Sequence, residues 1–389
     1  MGRLILHNLK HFFITFFILL AVLIALGMAI GADAHLNQNP LAYHLDGEGP
    51  HVFQQDHQWT ALTLRGNPDD GFHTEQQRHD LDQEFAAKVY FPLDDQHFTV
   101  TINPQILTPP VSYQDDQPML AISDIEGGFK AFRDFLISHR VIDQELNWTF
   151  GSGHLVLVGD FVDRGNSVTQ VLWLIYKLEQ DAAEAGGRVH YIIGNHEIKN
   201  LQANFQAAED KYHYIAAMLG KSQQQLYGEE SFIGRWLASK NSIERINGVL
   251  FTHGGIHPEI ADFKLDLTQV NQIIRDQYRK PHFTRRDPGQ YDFITSSHTG
   301  PAWYRGYFKD DLSQAEVEQG LAAFGADAVV VGHTIQSEVS KLYGGKVYAI
   351  DVKHPKDYYF SFPLRRSEGL LIEGADFYRL LADGERQLL

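Results

Sequence analysis

Five short polar motifs in the chain carry side chains of the types that bind metal ions. They occupy residues 123–128 (SDIEGG), 159–165 (GDFVDRG), 194–197 (GNHE), 252–255 (THGG) and 332–334 (GHT). Each places an aspartate, asparagine or histidine near glycine at the end of an apolar run. Any one of them alone is typical of a helix cap or a turn. Because five such motifs follow one another, we expect their oxygen and imidazole ligands to meet in one metal site.

A folded core must bring these distant motifs together, and the apolar pattern from residue 118 onward predicts a core of the α/β class. We predict strands at 119–123, 154–159, 189–194, 249–253, 328–332, 337–343 and 346–351, and helices at 129–139, 167–185 and over much of 198–240. The last two strands are expected to form a hairpin across Gly344 and Gly345. Ligands of open α/β sheets bind beyond the carboxyl ends of the strands, so the motifs should converge there.

The N-terminal segment is apolar enough to insert into a membrane. Residues 12–32 are almost entirely apolar and follow Arg3 and Lys10, and their length suffices to cross a hydrocarbon core of about 30 Å. The cations predict a cytoplasmic N-terminus with the remainder of the chain outside. Residues 32–34 (Ala-Asp-Ala) also fit a cleavage site, so residues 1–34 are a retained anchor, which we favour, or a removed signal peptide. Both alternatives place the body in the periplasm or another extracytoplasmic space.

The stretch from residue 35 to 117 has a different composition from the rest. It is rich in Gln, Asp, His and Pro, and its short alternating runs at 59–64, 88–91 and 98–102 predict strands. We interpret it as a β-rich extension packed on the main domain, rather than as a separate binding module. The chain would then divide into segments 1–34, 35–117 and 118–389.

Charge and composition exclude several functional classes. The net charge is −16 and the sequence contains no run of Lys and Arg, which argues against broad binding of nucleic acid. The 389 residues include no cysteine, so disulfides, thiolate zinc sites, iron–sulfur clusters and cysteine-dependent phosphotyrosine hydrolysis are all excluded. Any phosphatase activity must therefore activate water or use another side chain.

Together the motifs resemble those of the calcineurin-like metallophosphoesterases. Within that superfamily they are similar to the phosphoprotein-phosphatase branch, whose order is GDxHG, GDxVDRG, GNHE, HGG and one later histidine. The second and third motifs are complete here, and the resemblance spans about residues 119–355. Residues 301–306 (PAWYRG) also resemble the arginine-bearing segment of bacterial Shewanella-like phosphatases. The implied fold is the calcineurin-like α/β sandwich, in which helices flank central β-sheets.

The resemblance implies a centre of two divalent metal ions. Its six ligands would be Asp124, Glu126, Asp160, Asn195, His253 and His333. Asp160 would bridge the two ions, so that a shared water loses a proton near neutral pH and attacks phosphorus in line.

Four further residues would act on the substrate. The resemblance implies that Arg164 and Arg305 clamp the phosphoryl oxygens, for which the guanidinium fork is well suited. His196 would protonate the leaving oxygen, and Asp163 would orient its imidazole.

Glu126 departs from the family pattern, which has histidine at that position. Because strand side chains alternate, we expect Asp124 and Glu126 to face the same side. Two divalent ions, three carboxylates and a hydroxide sum to zero charge, which favours hard ions such as manganese or iron over zinc. The alternative is that Glu126 leaves the first metal position weak or empty.

Other residues near the motifs have plainer interpretations. His354 is expected to be a solvated loop histidine, and His298 to lie near the clamp without a necessary role in substrate binding. Core packing is the expected role of Tyr304, Tyr307 and Phe308.

The sequence therefore predicts a metal-dependent phosphatase that hydrolyses phosphomonoesters, with phosphoserine, phosphothreonine and phosphotyrosine in proteins among the candidate substrates. Two alternatives stay open. A nucleotide pyrophosphohydrolase or phosphodiesterase would use the same metal-bridging hydroxide. A domain that binds a phosphorylated partner with little turnover would result if Glu126 spoils the site.

Overall fold

The computed structural model describes residues 2–29, 32–283, 289–309 and 311–389. Its α-helices are α1 (Gly2–Ala29), α2 (Phe129–Ser138), α3 (Val168–Glu184), α4 (Asn195–Leu201), α5 (Asp210–Met218), α6 (Phe232–Ala238), α7 (Leu267–Arg275), α8 (Gln290–Thr295) and α9 (Gln314–Ala322). Its strands are β1 (Ala34–Leu36), β2 (His51–Gln55), β3 (Gln58–Asn67), β4 (Gly71–Asp80), β5 (Phe85–Phe91), β6 (Gln96–Ile102), β7 (Ser112–Tyr113), β8 (Met119–Ile122), β9 (His154–Val158), β10 (Arg188–Ile192), β11 (Ile243–Ile246), β12 (Val249–Thr252), β13 (Ala328–Val331), β14 (Ser340–Leu342), β15 (Val347–Ala349), β16 (Phe360–Phe362), β17 (Glu368–Glu373), β18 (Asp376–Leu381) and β19 (Arg386–Leu388).

Two six-stranded sheets form the centre of the molecule. One has the order β10-β9-β8-β17-β18-β19 and the other β14-β15-β13-β12-β11-β7. The neighbours β8, β9 and β10 run parallel in the first sheet, as do β12, β13 and β15 in the second. Parallel strands need both faces covered, which explains why their sequences read as continuous apolar runs.

The two faces of each central strand pack against different layers. In β8, Met119 and Ala121 lie with Phe251 and Val330 of the second sheet in one apolar cluster. Leu120 belongs to a second cluster that includes the buried side chains of α2 and α3. Side chains of a strand alternate between faces, so this division places the facing sheets in the middle and helices outside. The predicted α/β sandwich is confirmed.

Most predicted elements fall within a few residues of their observed positions. The hairpin across Gly344 and Gly345 is present, with β14 antiparallel to β15, although β14 is shorter than expected. The region 198–240 contains α5, α6 and the end of α4, joined by turns.

The segment 35–117 is β-rich and shares its apolar core with the rest of the chain. It supplies the β2-β3-β4 sheet and the β5-β6 hairpin. The indole of Trp173 on α3 donates to the carbonyl of Pro50 at 2.8 Å, and Lys211 on α5 pairs with buried Glu48 at 2.9 Å. The strand β7 joins the second large sheet beside β11. The division of the chain at residue 117 stays a prediction.

Helix α1 contains the apolar N-terminal segment. Its stretch Ile5–Met28 is long and apolar enough to cross a membrane, a test that a signal sequence also passes. Within the predicted segment 12–32, residues 30 and 31 lie outside the described residues.

Candidate active site

Chemically active side chains cluster where the parallel strands of both sheets end. Each follows the carboxyl end of its strand by one to three residues: Asp124 after β8, Asp160 after β9, Asn195 after β10, His253 after β12, His333 after β13 and Asp351 after β15. All six are buried. The geometry is the one expected of open α/β sheets, in which loops distant in sequence share one crevice.

Four of the six predicted metal ligands converge on one point. Single ligand atoms of Asp160, His253 and His333 lie within 4.8 Å of one another, and Asp160 Oδ2 is 3.1 Å from His253 Nε2. The inward atom of the Asn195 amide lies 2.8 Å from His333 Nδ1, 3.0 Å from His253 Nε2 and 3.2 Å from Asp160 Oδ2.

The hydrogen bonds behind the two histidines show that this donor set fits a cation. The imidazole of His253 donates through Nδ1 to the carbonyl of Val158 at 2.8 Å. That of His333 donates through Nε2 to the carbonyl of Trp303 at 3.1 Å. The other nitrogen of each ring lies in the cluster, His253 Nε2 3.1 Å from Asp160 Oδ2 and His333 Nδ1 2.8 Å from the Asn195 amide, where a cation would take the place of a proton. Imidazoles fixed in this way by backbone carbonyls are typical of metal ligands.

Excess negative charge beside this cluster also fits divalent ions. Burial, and then the neighbouring Asp351, raise the pKa of Asp124 well above its usual value. Burial, followed by Glu126 and Asp160, has the same effect on the pKa of Asp351. Cations would offset this mutual repulsion. Asp351 was not among the residues predicted for the site, although it is an aspartate at a strand end like those of the other motifs.

The expected position of Glu126 rested on a wrong argument. Strand β8 ends at Ile122, and both Asp124 and Glu126 lie beyond it with positive φ, 54° and 50°. The alternation of strand side chains therefore does not apply to them. The Glu126 carboxylate pairs with Arg164 and with Lys356, the latter at 3.4 Å. Its assignment as a metal ligand stays a prediction.

A histidine and an aspartate stand beside the donor cluster as a hydrogen-bonded pair. His196 Nδ1 lies 2.7 Å from Asp163 Oδ2, and both side chains are buried. The amide of Asn200, one turn along α4, donates to Asp163 Oδ1 at 2.8 Å. With Asp163 held on both oxygens and accepting from Nδ1, the Nε2 atom of His196 is left facing the crevice.

Two arginines line the same crevice. Arg164 approaches His196 Nε2 to 3.1 Å, and Arg305 donates to the carbonyl of His333 at 2.6 Å and to Thr334 Oγ1 at 3.0 Å. Both border a cavity of about 600 Å³. Two guanidinium groups in the lining of one pocket can bind the oxygens of a phosphate.

Comparison with known proteins identifies the arrangement. Residues 118–337 match the family model of the calcineurin-like phosphoesterases. The chain belongs to this family. A cold-active protein-tyrosine phosphatase from a psychrophilic Shewanella species has a similar structure, with a TM-score of 0.75 and 31% identity over 88% of this chain and 99% of that one.

Two curated relatives of this phosphoesterase are named as protein phosphatases. Shewanella-like protein phosphatase 2 of Arabidopsis thaliana is 23% identical over 320 residues, covering 67% of this chain and 78% of that protein. Shewanella-like protein phosphatase 1 of Plasmodium berghei (strain Anka) is 29% identical over 232 residues, covering 56% and 61%. The chain is thus a metal-dependent phosphatase, a phosphoric monoester hydrolase, and the resemblance to Shewanella-like phosphatases is confirmed.

The fourth residue of the phosphatase's GNHE motif holds two of its loops together. The buried carboxylate of Glu197 accepts from four backbone amides at 2.8–3.2 Å, those of Gly194, Asp160, Phe161 and Val162. It also accepts from the hydroxyl of Tyr191 at 3.0 Å. No role was predicted for this glutamate from the sequence. A fully buried carboxylate must find donors, and the amides of the two loops supply them.

Backbone hydrogen bonds and strained residues fix the loops further. The amides of Asp124, Glu126 and Gly127 donate to the carbonyls of Gly159, Asp160 and Phe161 at 2.9–3.0 Å. The site residues with left-handed backbone are Asp124, Glu126, Asp160, Asp163, Arg164 and His333, with φ between 50° and 67°. Such strain in non-glycine residues gathers where function requires an exact side-chain direction.

The structure contradicts the expectation for His354 and agrees with that for Tyr304 and Tyr307. His354 is not a solvated loop histidine, because it is buried with Nε2 2.9 Å from the carbonyl of Ser123. Tyr304 and Tyr307 lie in the core as expected, whereas their neighbour Trp303 lines the cavity. Lys199 lines it too, with its ammonium over the Trp303 ring. Neither Trp303 nor Lys199 was proposed from the sequence.

Proposed function

We propose that this phosphatase hydrolyses phosphotyrosine, phosphoserine or phosphothreonine in proteins. The main observation in its support is that Asp160, Asn195, His253 and His333 converge beside the His196–Asp163 pair. The names of the curated relatives and of the Shewanella structure support a protein substrate. The cavity of about 600 Å³ leaves room for a phosphorylated side chain.

The donor set supports a centre of two divalent ions. Asp160, Asn195, His253 and His333 would hold one ion, and Asp160 would share a second with Asp124. The ions would supply a water that is deprotonated near neutral pH and would offset charge on the phosphoryl group. The excess of carboxylates around Asp124 favours manganese or iron over zinc.

Four side chains would then act on the substrate, directly or through a neighbour. Asp163 keeps the imidazole of His196 in the orientation in which Nε2 faces the leaving oxygen. Arg164, which contacts Nε2 at 3.1 Å, would turn to the phosphoryl oxygens when substrate enters. Once Arg164 has moved, Nε2 takes up a proton from solvent, and this proton passes to the leaving oxygen. Arg305, fixed by the carbonyl of His333, binds the phosphoryl group as well.

A substrate panel tests this proposal. The purified protein with manganese would be assayed on p-nitrophenyl phosphate, bis-p-nitrophenyl phosphate, a dinucleoside polyphosphate and phosphopeptides. We expect turnover of the monoester and the peptides, with little on the diester. Preference for the diester or the polyphosphate would favour a phosphodiesterase or pyrophosphohydrolase. Failure of all substrates with every divalent ion tested would contradict an enzyme.

We further propose that α1 is retained as an anchor and that the catalytic domain is periplasmic or otherwise extracytoplasmic. The apolar stretch Ile5–Met28 supports insertion into a membrane. The cations Arg3 and Lys10, near its N-terminal end, support this orientation. Mass spectrometry of the membrane-bound protein should find residues 1–34 intact, and external protease should digest the catalytic domain in spheroplasts. A mature N-terminus near residue 35 would show that the segment is a removed signal peptide.

A further inference from the structure

A small sheet beside the N-terminal helix exposes an apolar face. Strand β1 pairs antiparallel with β16, so that Ala34 lies opposite Phe362 and Leu36 opposite Phe360. Directly opposed residues share one face of a sheet. Leu36, Phe360 and Phe362 are 55%, 54% and 46% exposed. The other face is polar, since His35 Nδ1 lies 3.2 Å from the hydroxyl of Ser361, which is buried.

This face lies close to the end of α1. The amide of Ala32 donates to the carbonyl of Gly27 within the last turns of the helix, at 2.9 Å. Only Asp33 separates Ala32 from the first residue of β1, and two residues of extended chain span about 7 Å. If α1 crosses a bilayer, β1 must therefore start at the bilayer surface.

Basic residues flank the apolar strand β16 in the sequence. Between residues 353 and 366 the chain carries four cations, Lys353, Lys356, Arg365 and Arg366, and one acidic residue, Asp357. Lys353 and Arg365 pair with Asp33, which ties β16 to the chain that leaves α1. Lys356 pairs with Glu126, so acidic side chains are the partners of three of these four cations. Apolar residues flanked by cations are typical of segments that bind anionic lipid surfaces.

We propose that Leu36, Phe360, Phe362 and the 67% exposed Leu364 form a docking face that inserts into the interface of the bilayer crossed by α1. The inference goes beyond phosphatase activity and rests only on the proposed retention of α1. It also has a consequence for substrate access. A cavity of about 620 Å³ extends from Asp33 and His35 to Glu126 and Arg164, so docking would hold the catalytic crevice close to the membrane surface.

The absence of cysteine permits a direct test in the intact chain. Single variants Phe360→Cys and Phe362→Cys, labelled with a polarity-sensitive fluorophore, would be reconstituted in nanodiscs that contain anionic lipid. We expect a blue-shifted emission that is quenched by nitroxide lipids and protected from iodide. The controls are Leu107→Cys and Leu388→Cys, at sites elsewhere that are 70% and 67% exposed. Their labels should show no blue shift, no quenching by nitroxide lipids and ready quenching by iodide. Unchanged turnover of p-nitrophenyl phosphate would verify that each labelled variant is folded.

Two results would overturn the proposal. If iodide quenches the labels at positions 360 and 362 and nitroxide lipids do not, the face lies in water. Protection that appears equally in lipid-free detergent and increases with protein concentration would show instead that a second copy of the chain covers the face. Neither result would affect the phosphatase assignment, because the assay on p-nitrophenyl phosphate is read separately.

Discussion

The carboxylate of Asp163 lies 2.7 Å from Nδ1 of His196, and a second hydrogen bond from Asn200 holds it in place. We predict that Asp163→Asn lowers kcat about 10²- to 10⁴-fold, because the amide can stabilise the wrong tautomer of His196. KM should change little, since the arginines and metal ligands remain. Steady-state kinetics on p-nitrophenyl phosphate would measure both.

Asp134→Asn, at an exposed position of α2, is the matched control and should leave kcat unchanged. If Asp163→Asn instead raised KM at constant kcat, the aspartate would serve substrate binding and not the orientation of His196.

Replacement of Glu126 tests how the site uses its extra negative charge. We predict that Glu126→His stays active and that the ratio of zinc- to manganese-supported activity rises. The neutral imidazole removes one carboxylate from a site that also contains Asp124 and Asp351. Activity with each metal after chelation would give the ratio. Complete inactivity with both ions still bound would show that the carboxylate itself is required.

Glu197 should contribute to stability as well as to the site. We predict that Glu197→Gln lowers the free energy of unfolding by about 2–4 kcal/mol, because the amide group cannot accept every backbone hydrogen bond that the carboxylate accepts. Urea denaturation would measure the loss. Glu259→Gln, at an exposed glutamate, is the control. Equal stability of the two variants would contradict the structural role.

Sequence patterns predicted most of the strands of the core and most residues of the donor cluster because one feature marks them, a polar residue near glycine beyond a strand. Asp160 and His253 were found in this way. Asp351 also follows a strand but has no flanking glycine, so the pattern passed over it. The partners of Glu126 and the burial of His354 depend on backbone direction and tertiary contact, which local sequence does not determine.

A buried ion pair between the N-terminal extension and α5 should make stability depend on pH. Burial raises the pKa of Glu48, but Lys211 and then His51 outweigh it and lower the pKa overall. Ionised Glu48 therefore contributes its full share of the folding stability above the ordinary pKa of 4.5. This stabilisation is lost as the pH falls through the lower pKa of the folded state. We predict that Glu48→Gln is less stable at pH 7 by about 3–5 kcal/mol, because Lys211 stays buried without its anion.

The difference in stability between this variant and the unmodified protein should shrink below pH 4.5. Urea denaturation from pH 3 to 7 would measure it, and a difference that is constant with pH would contradict the account.

The central claim is that the convergent side chains hold two metal ions for phosphate hydrolysis. Chelator-treated protein would be titrated with manganese, and bound metal and phosphatase activity would be measured on the same samples. We predict two ions per chain in the unmodified protein. Asp160→Asn, which lacks the bridging carboxylate, should bind at most one ion and lose at least 100-fold in activity. Two bound ions and undiminished activity in Asp160→Asn would contradict the account.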